Sequence, residues 1–188
     1  MSFDNALQRH FDTFNKLQSI KAATETLADQ IDNCFQNGGK LIFMGNGGSA
    51  ADSQHLAAEF VVRYKAERRP LAAISLTVDT SILTAHSNDY SFDSVFTRQI
   101  EALAKPEDLI IGISTSGNSA NIIDAIKAGQ AIGCTTWAWT GSQGGQLNAI
   151  ADHLLKIPSD ETARIQEAHI FIGHWLCEEM DRRTSSDS

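Results

Sequence analysis

The chain has 188 residues and a formal charge of −8, with 42% apolar and 20% charged residues; this fits one domain around a single core and excludes a disordered chain. The acidic balance argues against a general nucleic-acid binder, which carries a basic stripe, but a donor-rich pocket could still take a small anion. MSFDNALQRHFDTF has no basic region followed by an apolar core, and no apolar run approaches the roughly 20 residues of a membrane span, so a cytoplasmic location is expected.

Residues 3–38 carry a helical rhythm. Leu7, Phe11, Phe14, Leu17, Ile20 and Ala23 recur at spacings of three and four, and Leu27, Ile31 and Phe35 continue it. One long helix or two both satisfy the pattern, and NGG at 37–39 supplies the stop. So much helix before the first strand suggests that segment 1–38 packs against another subunit. KLIFMGNGG (40–48) reads as a strand feeding a glycine turn, followed by a helix over 50–62. LAAISLT (71–77) is a second strand, TSILTAHSNDY (80–90) a short helix and loop, and SVFTRQIEALA (94–104) a helix stopped before Pro106. DLIIGIST (108–115) is a third strand, apolar on both faces as a buried parallel strand is. SANIIDAIKAGQAIG (119–133) is a helix ending at Gly133, CTTWAWTG (134–141) a fourth strand and HLLKIP (153–158) a fifth. TARIQEAHIFIGHWLCEEMDRR (162–183) closes the domain as a long helix, with a disordered tail expected over 183–188. Cys34, Cys134 and Cys177 are odd in number and widely spaced, which favours reduced, buried thiols.

Strands alternating with helices specify an α/β fold: a three-layer, doubly wound sandwich on a mainly parallel five-stranded sheet, over residues 39–182. Ligands of such sheets bind beyond the carboxyl ends of the strands. That directs attention to GNGGSA (45–50) and STSGNSA (114–120).

Ser114, Thr115, Ser116 and Ser119 surround Gly117 just before a helix. Hydroxyls, backbone N–H groups and the positive helix end favour an anion there. A plain helix cap needs one hydroxyl, and four in six residues exceed that. There is no P-loop lysine and no G-x-G-x-x-G, so a phosphomonoester fits better than a nucleotide. Asn46, Gly47, Gly48 and Ser49 form a second turn whose small residues let backbone approach a ligand. His55 and Glu59, four apart, share a helix face and suit either a divalent metal or a carboxylate base oriented by a histidine; a solvated pair is the bland alternative. The closing helix is apolar almost all round, yet it carries Gln166, His169 and His174. Gln166, Ile170, His174 and Cys177 form one stripe, and buried polar groups need partners. Asn88 and Asp89 are read as a loop after the second strand, binding sugar hydroxyls or forming a turn. Arg63, Lys65, Arg68 and Arg69 read as a solvated charge run, and His86 and His153 receive no role.

Together, GNGGSAADSQHLAAEF, HSNDYSF, GISTSGNSANI and TARIQEAHIFIGH closely resemble the bacterial phosphoheptose isomerases of the sugar isomerase (SIS) superfamily, from about Lys40 to Glu178. The resemblance implies conversion of sedoheptulose 7-phosphate to D-glycero-D-manno-heptose 7-phosphate, the first step toward the ADP-heptose of lipopolysaccharide cores. It puts one zinc ion per subunit on His55, Glu59, Gln166 and His174, and catalysis on Glu59 and His174. Substrate contacts fall on Asn46, Gly47, Gly48, Ser49, Asn88, Asp89, Ser114, Thr115, Ser116, Ser119 and Gln166. Some relatives have an aspartate just before R-I-Q. This chain has Ala163, so that contact is absent or supplied by another group such as Asp89.

Ketose–aldose isomerisation moves a proton between neighbouring carbons through an enediol, which needs a base, an acid and stabilisation of the oxyanion. Glu59 is the natural base and His174 the natural acid. Gln166 and His174 are eight residues apart, about 12 Å along a helix. To share a metal they must reach to full extension, the helix must deform near Gly173, or they must come from different subunits. A site at a subunit interface is therefore expected, and the family implies a homotetramer. The competing reading is a non-catalytic SIS module, a phosphosugar sensor or a replication-initiator-binding adaptor, which would not need Glu59 and His174. Another phosphosugar isomerase is a third reading.

Overall fold

The expected helical N-terminus resolves into two helices. In the computed structural model, which describes residues 2–185, α1 (Phe3–Phe14) and α2 (Lys21–Gln36) are joined by a short 3-10 turn, Leu17–Ile20. The Ser2 side chain caps α1 by accepting from Asn5 N–H. The remaining elements follow in the expected order. They are β1 (Leu41–Gly45), α3 (Gly48–Val61), β2 (Ala73–Ser75), α4 (Thr80–Asp89), α5 (Val95–Leu103), β3 (Leu109–Ile113), α6 (Ala120–Ile132), β4 (Thr135–Thr140), β5 (His153–Lys156) and α7 (Thr162–Thr184).

The five strands are all parallel, in the order β2-β1-β3-β4-β5. Both faces are covered, which the run LIFM on β1 anticipates. Leu41 and Phe43 join Leu27, Ile31, Phe60, Trp137 and Leu176 on the side of α2, α3 and α7. Ile42 and Met44 join Phe96, Ile100, Ile110, Ile122 and Ile126 on the side of α5 and α6. Thus α2 packs directly onto the sheet, while α1 lies along α7 through Arg9–Glu161 and His10–Glu167. The chain reverses its direction of winding between neighbouring β1 and β3, and the crevice there is where ligands bind in such sheets.

Four local readings change. Gly48 and Ser49, expected in the turn, already belong to α3. Asn88 and Asp89 sit in the last turn of α4 and not in a loop, because Asp79 caps that helix at Ile82 N–H and it runs on to Asp89. Arg68 is buried, whereas Arg63, Lys65 and Arg69 are exposed as expected. The tail begins later than 183, since α7 includes Arg183, bonded to Glu179 and Asp29, and the buried Thr184. Residues 186–188 lie outside the described residues. All three cysteines are free and buried, and among the described residues no helix is long and apolar enough to cross a membrane.

Candidate active site

The two loops singled out by sequence meet at the β1/β3 crevice, and a pair of asparagines joins them. Asn46 and Asn121 exchange carboxamide hydrogen bonds at 2.9 Å in each direction, linking the turn after β1 to the first turn of α6. In the serine loop the Ser114 and Ser119 hydroxyls are 2.9 Å apart, and Ser116 Oγ accepts from Asn118 N–H. Gly117 turns this loop with φ +68°, and a Cβ there would meet the Gly144 carbonyl oxygen at 2.0 Å. Ser119 occupies the N-cap of α6 but its side chain does not cap the helix. Its hydroxyl faces Ser114 instead, so the plain-cap reading fails for this residue. The α3 N-terminus, preceded by Gly47, also lacks a side-chain cap. Two helix starts, neither closed by a side chain, thus flank one crevice, an arrangement suited to an anion. A cavity of about 380 Å³ opens beside the loop, lined by Thr115, Ser116, Ser142 and Asp160 among others. That volume is in the range of small-ligand sites. A larger, apolar groove of about 510 Å³ lies away from this chemistry, between the N-terminal helices and α7.

Helices α3 and α7 run side by side in the same direction. A Cβ on Gly173 would meet Leu56 Cδ2 at 2.5 Å, so glycine is what allows the close approach. This contact brings His55, Glu59 and His174 together. His55 Nε2 is 3.2 Å from Glu59 Oε1, and His174 Nε2 is 3.5 Å from His55 Nε2. Two ring nitrogens that close need a proton or a cation between them, because facing lone pairs repel. Burial lowers the His174 pKa and His55 lowers it further, while Glu59 opposes both. The Tyr64 ring stacks on His174, with centroids 5.5 Å apart and planes at 23°.

Gln166 does not join this trio within the chain. Its Nε2 lies beside Gly48, 2.5 Å from where a Cβ would stand, at the start of α3. Because α7 is continuous through Gly173, Gln166 and His174 remain about 12 Å apart along the helix. A deformation of the helix near Gly173 therefore does not unite them, and Gln166 is turned toward Gly48. Among the described residues no group of three or more His, Cys, Asp and Glu side chains is placed to hold a metal ion. The donor spacing nonetheless suits an ion: a tetrahedral centre with bonds of about 2.0–2.1 Å separates its donors by about 3.3 Å. The His55–Glu59 and His55–His174 separations of 3.2 and 3.5 Å bracket that value. Asn88 and Asp89 are exposed, Asn88 Nδ2 donating to Asp89 Oδ1 at 2.8 Å.

Comparisons with known proteins give the chain its family. The SIS domain family model matches residues 3–141. A phosphoheptose isomerase of Aquifex aeolicus is 55% identical over 166 residues, 87% of this chain and 87% of that protein. One from Aliarcobacter butzleri is 53% identical over 168 residues, 89% of this chain and 85% of that one. The chain belongs to the SIS-domain phosphoheptose isomerases. The solved phosphoheptose isomerase of Neisseria gonorrhoeae superposes with a TM-score of 0.88 at 42% identity, covering 93% of this chain and 95% of that one.

Three residues near this site carry no role in the sequence reading. Tyr64, just past α3, is an aromatic that only tertiary packing sets on His174. Asn121 could be suspected as a second carboxamide after the serine loop. Asp52, one turn before His55, has a buried Oδ2 without a protein partner, and burial raises its pKa while His55 lowers it.

Proposed function

We propose that this chain interconverts sedoheptulose 7-phosphate and D-glycero-D-manno-heptose 7-phosphate through an enediol, supplying the heptose unit of surface glycans such as lipopolysaccharide. One observation carries the reading: Glu59 and His174, from helices far apart in sequence, both come within 3.5 Å of His55 where α3 packs on α7. A non-catalytic SIS module would have no use for that convergence. Family membership supports the substrate class.

The serine loop and the α6 N-terminus hold the phosphate through Ser114, Thr115, Ser116 and Ser119. The phosphate is remote from the reacting carbons, so its binding energy serves orientation. Asn46, Gly47, Gly48, Ser49 and Gln166 line the start of α3, where the sugar chain would run. Glu59 takes the proton from the carbon next to the carbonyl and returns it one carbon over. His174, whose pKa burial lowers, exchanges protons with the oxygens.

His55, Glu59 and His174 would hold a zinc ion, with Gln166 entering from a neighbouring subunit. Bound zinc would polarise the carbonyl and steady negative charge on the oxygens. Metal ligation weakens Glu59 as a base, so its two duties compete. Asn88 and Asp89 contact the sugar in this reading from the end of α4. Self-association as a homotetramer is supported by the exposed Phe3, Phe11 and Phe171 and by the apolar groove beside α7. Three free thiols support a cytoplasmic location.

The test is turnover of sedoheptulose 7-phosphate by wild type, Glu59→Gln and His174→Ala, with and without chelator. Both variants should lose at least about 100-fold in kcat. Unchanged turnover in both would overturn the mechanism, and activity indifferent to exhaustive chelation would remove the zinc.

A further inference from the structure

Between α3 and β2 the chain runs through residues 62–72 without helix or strand. A buried ion pair fastens this stretch. Arg68 Nε bonds Asp181 Oδ1 at 2.7 Å, with the two side chains 0% and 5% exposed. The other carboxylate oxygen accepts the Lys65 and Ala66 N–H groups at 2.7 and 2.8 Å. The rest of the guanidinium faces the end of α3. Its Nη1 donates to the Phe60 carbonyl and its Nη2 to the Glu59 carbonyl, both at 2.9 Å. These are among the carbonyls a helix end leaves without partners. Asp181 is seven residues beyond His174 on α7, two turns along the same face.

We propose that Arg68 and Asp181 are positioning residues for the proton-transfer pair, fixing the register of α3 on α7 and holding Tyr64 against the His174 ring. The proposal rests on the roles given above to Glu59 and His174. Arg68 is shut away from solvent, so it acts on the site only through the backbone it binds. Stability alone does not explain the pair, since well-packed apolar side chains often replace a buried ion pair at no cost. Apolar groups cannot, however, grip two carbonyls and two amides at fixed points, which the planar guanidinium fork and a carboxylate do. Lys65 N–H bonded to Asp181 leaves Tyr64, its neighbour, over the imidazole.

The experiment compares wild type with Arg68→Met/Asp181→Leu, Arg68→Lys and Asp181→Asn. Melting temperature, the His174 ring signals in NMR of histidine-labelled protein, and kcat and KM are measured. The double variant leaves the Lys65 and Ala66 N–H groups and the Glu59 carbonyl unpaired, so it should melt below wild type while still folding, and its His174 signals should lose the ring-current shift from Tyr64. Its kcat should fall about 10- to 100-fold with KM within about twofold, because the phosphate anchor is untouched. Arg68→Lys, which keeps the charge but not the fork, should fall between. Should the double variant fail to fold, Asp181→Asn, which keeps the shape and drops the charge, carries the same measurements. Folded variants with the wild-type His174 signals and wild-type kcat overturn the proposal. The NMR signal is read without substrate, so it decides the pair even if wild type leaves the heptulose phosphate unchanged, a result that would count against the function alone.

Discussion

Asn46 and Asn121 each donate a side-chain hydrogen bond to the other at 2.9 Å, and through them the loop after β1 is bound to the loop after β3. The serine loop has bonds of its own, Gly117 N–H to the Ser114 carbonyl among them, so the asparagine pair sets where the two loops sit relative to each other. Asn121→Ala removes one partner and leaves the Asn46 carboxamide unpaired, at a cost of about 1–3 kcal/mol. We expect a lower melting temperature together with a KM for sedoheptulose 7-phosphate raised several-fold. A variant of unchanged KM would mean that the two loops bind substrate independently.

Ser119→Ala separates ligand binding from helix capping. A capping serine costs about 0.5–2 kcal/mol when replaced by alanine. Ser119 does not cap α6 with its side chain, and its hydroxyl faces Ser114. Thermal stability should therefore change little, while KM rises. A large stability loss with KM unchanged would restore the plain-cap reading.

The fold was legible because each strand is a short apolar run bounded by glycine, proline or a polar turn, and buried parallel strands demand that pattern. Both loops were legible for a local reason, since small and hydroxyl residues at a strand-to-helix junction stand out without tertiary information. Arg68 was not legible. It lies in KAERR, a run that looks solvated, and its partner Asp181 is 113 residues away. Tyr64 was hidden in the same way, because only the fold sets it over His174. Asn88 and Asp89 were misread because HSNDY has the composition of a turn, while the cap at Asp79 propagates helix through it. The Gln166–His174 spacing was readable as a difficulty from helix geometry alone. The unbroken α7 removes the answer that needed a deformation near Gly173.

Gly117→Ala tests the serine loop's backbone. Alanine must adopt φ +68° and also place a methyl 2.0 Å from a backbone carbonyl that cannot rotate away as a side chain can. The conformational strain alone is about 1–3 kcal/mol, and the clash adds to it. Lower thermal stability and loss of phosphosugar binding should appear together. Wild-type binding in this variant would show that the loop can rearrange freely, against the description of a fixed anion site.

His169 makes acid stability testable. It is fully buried on α7 beside Trp139, and neither ring nitrogen makes a well-formed hydrogen bond, the Thr140 backbone being its nearest polar influence. Burial pushes its pKa down to about 4, which the Thr140 backbone only partly offsets. In the unfolded chain the ring titrates near 6.5. At pH 5 the unfolded state therefore binds a proton that the folded state refuses, and folding weakens as pH falls from about 6.5 toward 4. Across that window the His169 share of the loss is about 3 kcal/mol. His169→Leu removes both the titration and two unpaired polar atoms. Its melting temperature should decline less steeply than wild type's between pH 6.5 and 4.5, with the two proteins closest near neutrality. Parallel curves over that range would mean that the folded protein accommodates the imidazolium, contrary to the burial found here.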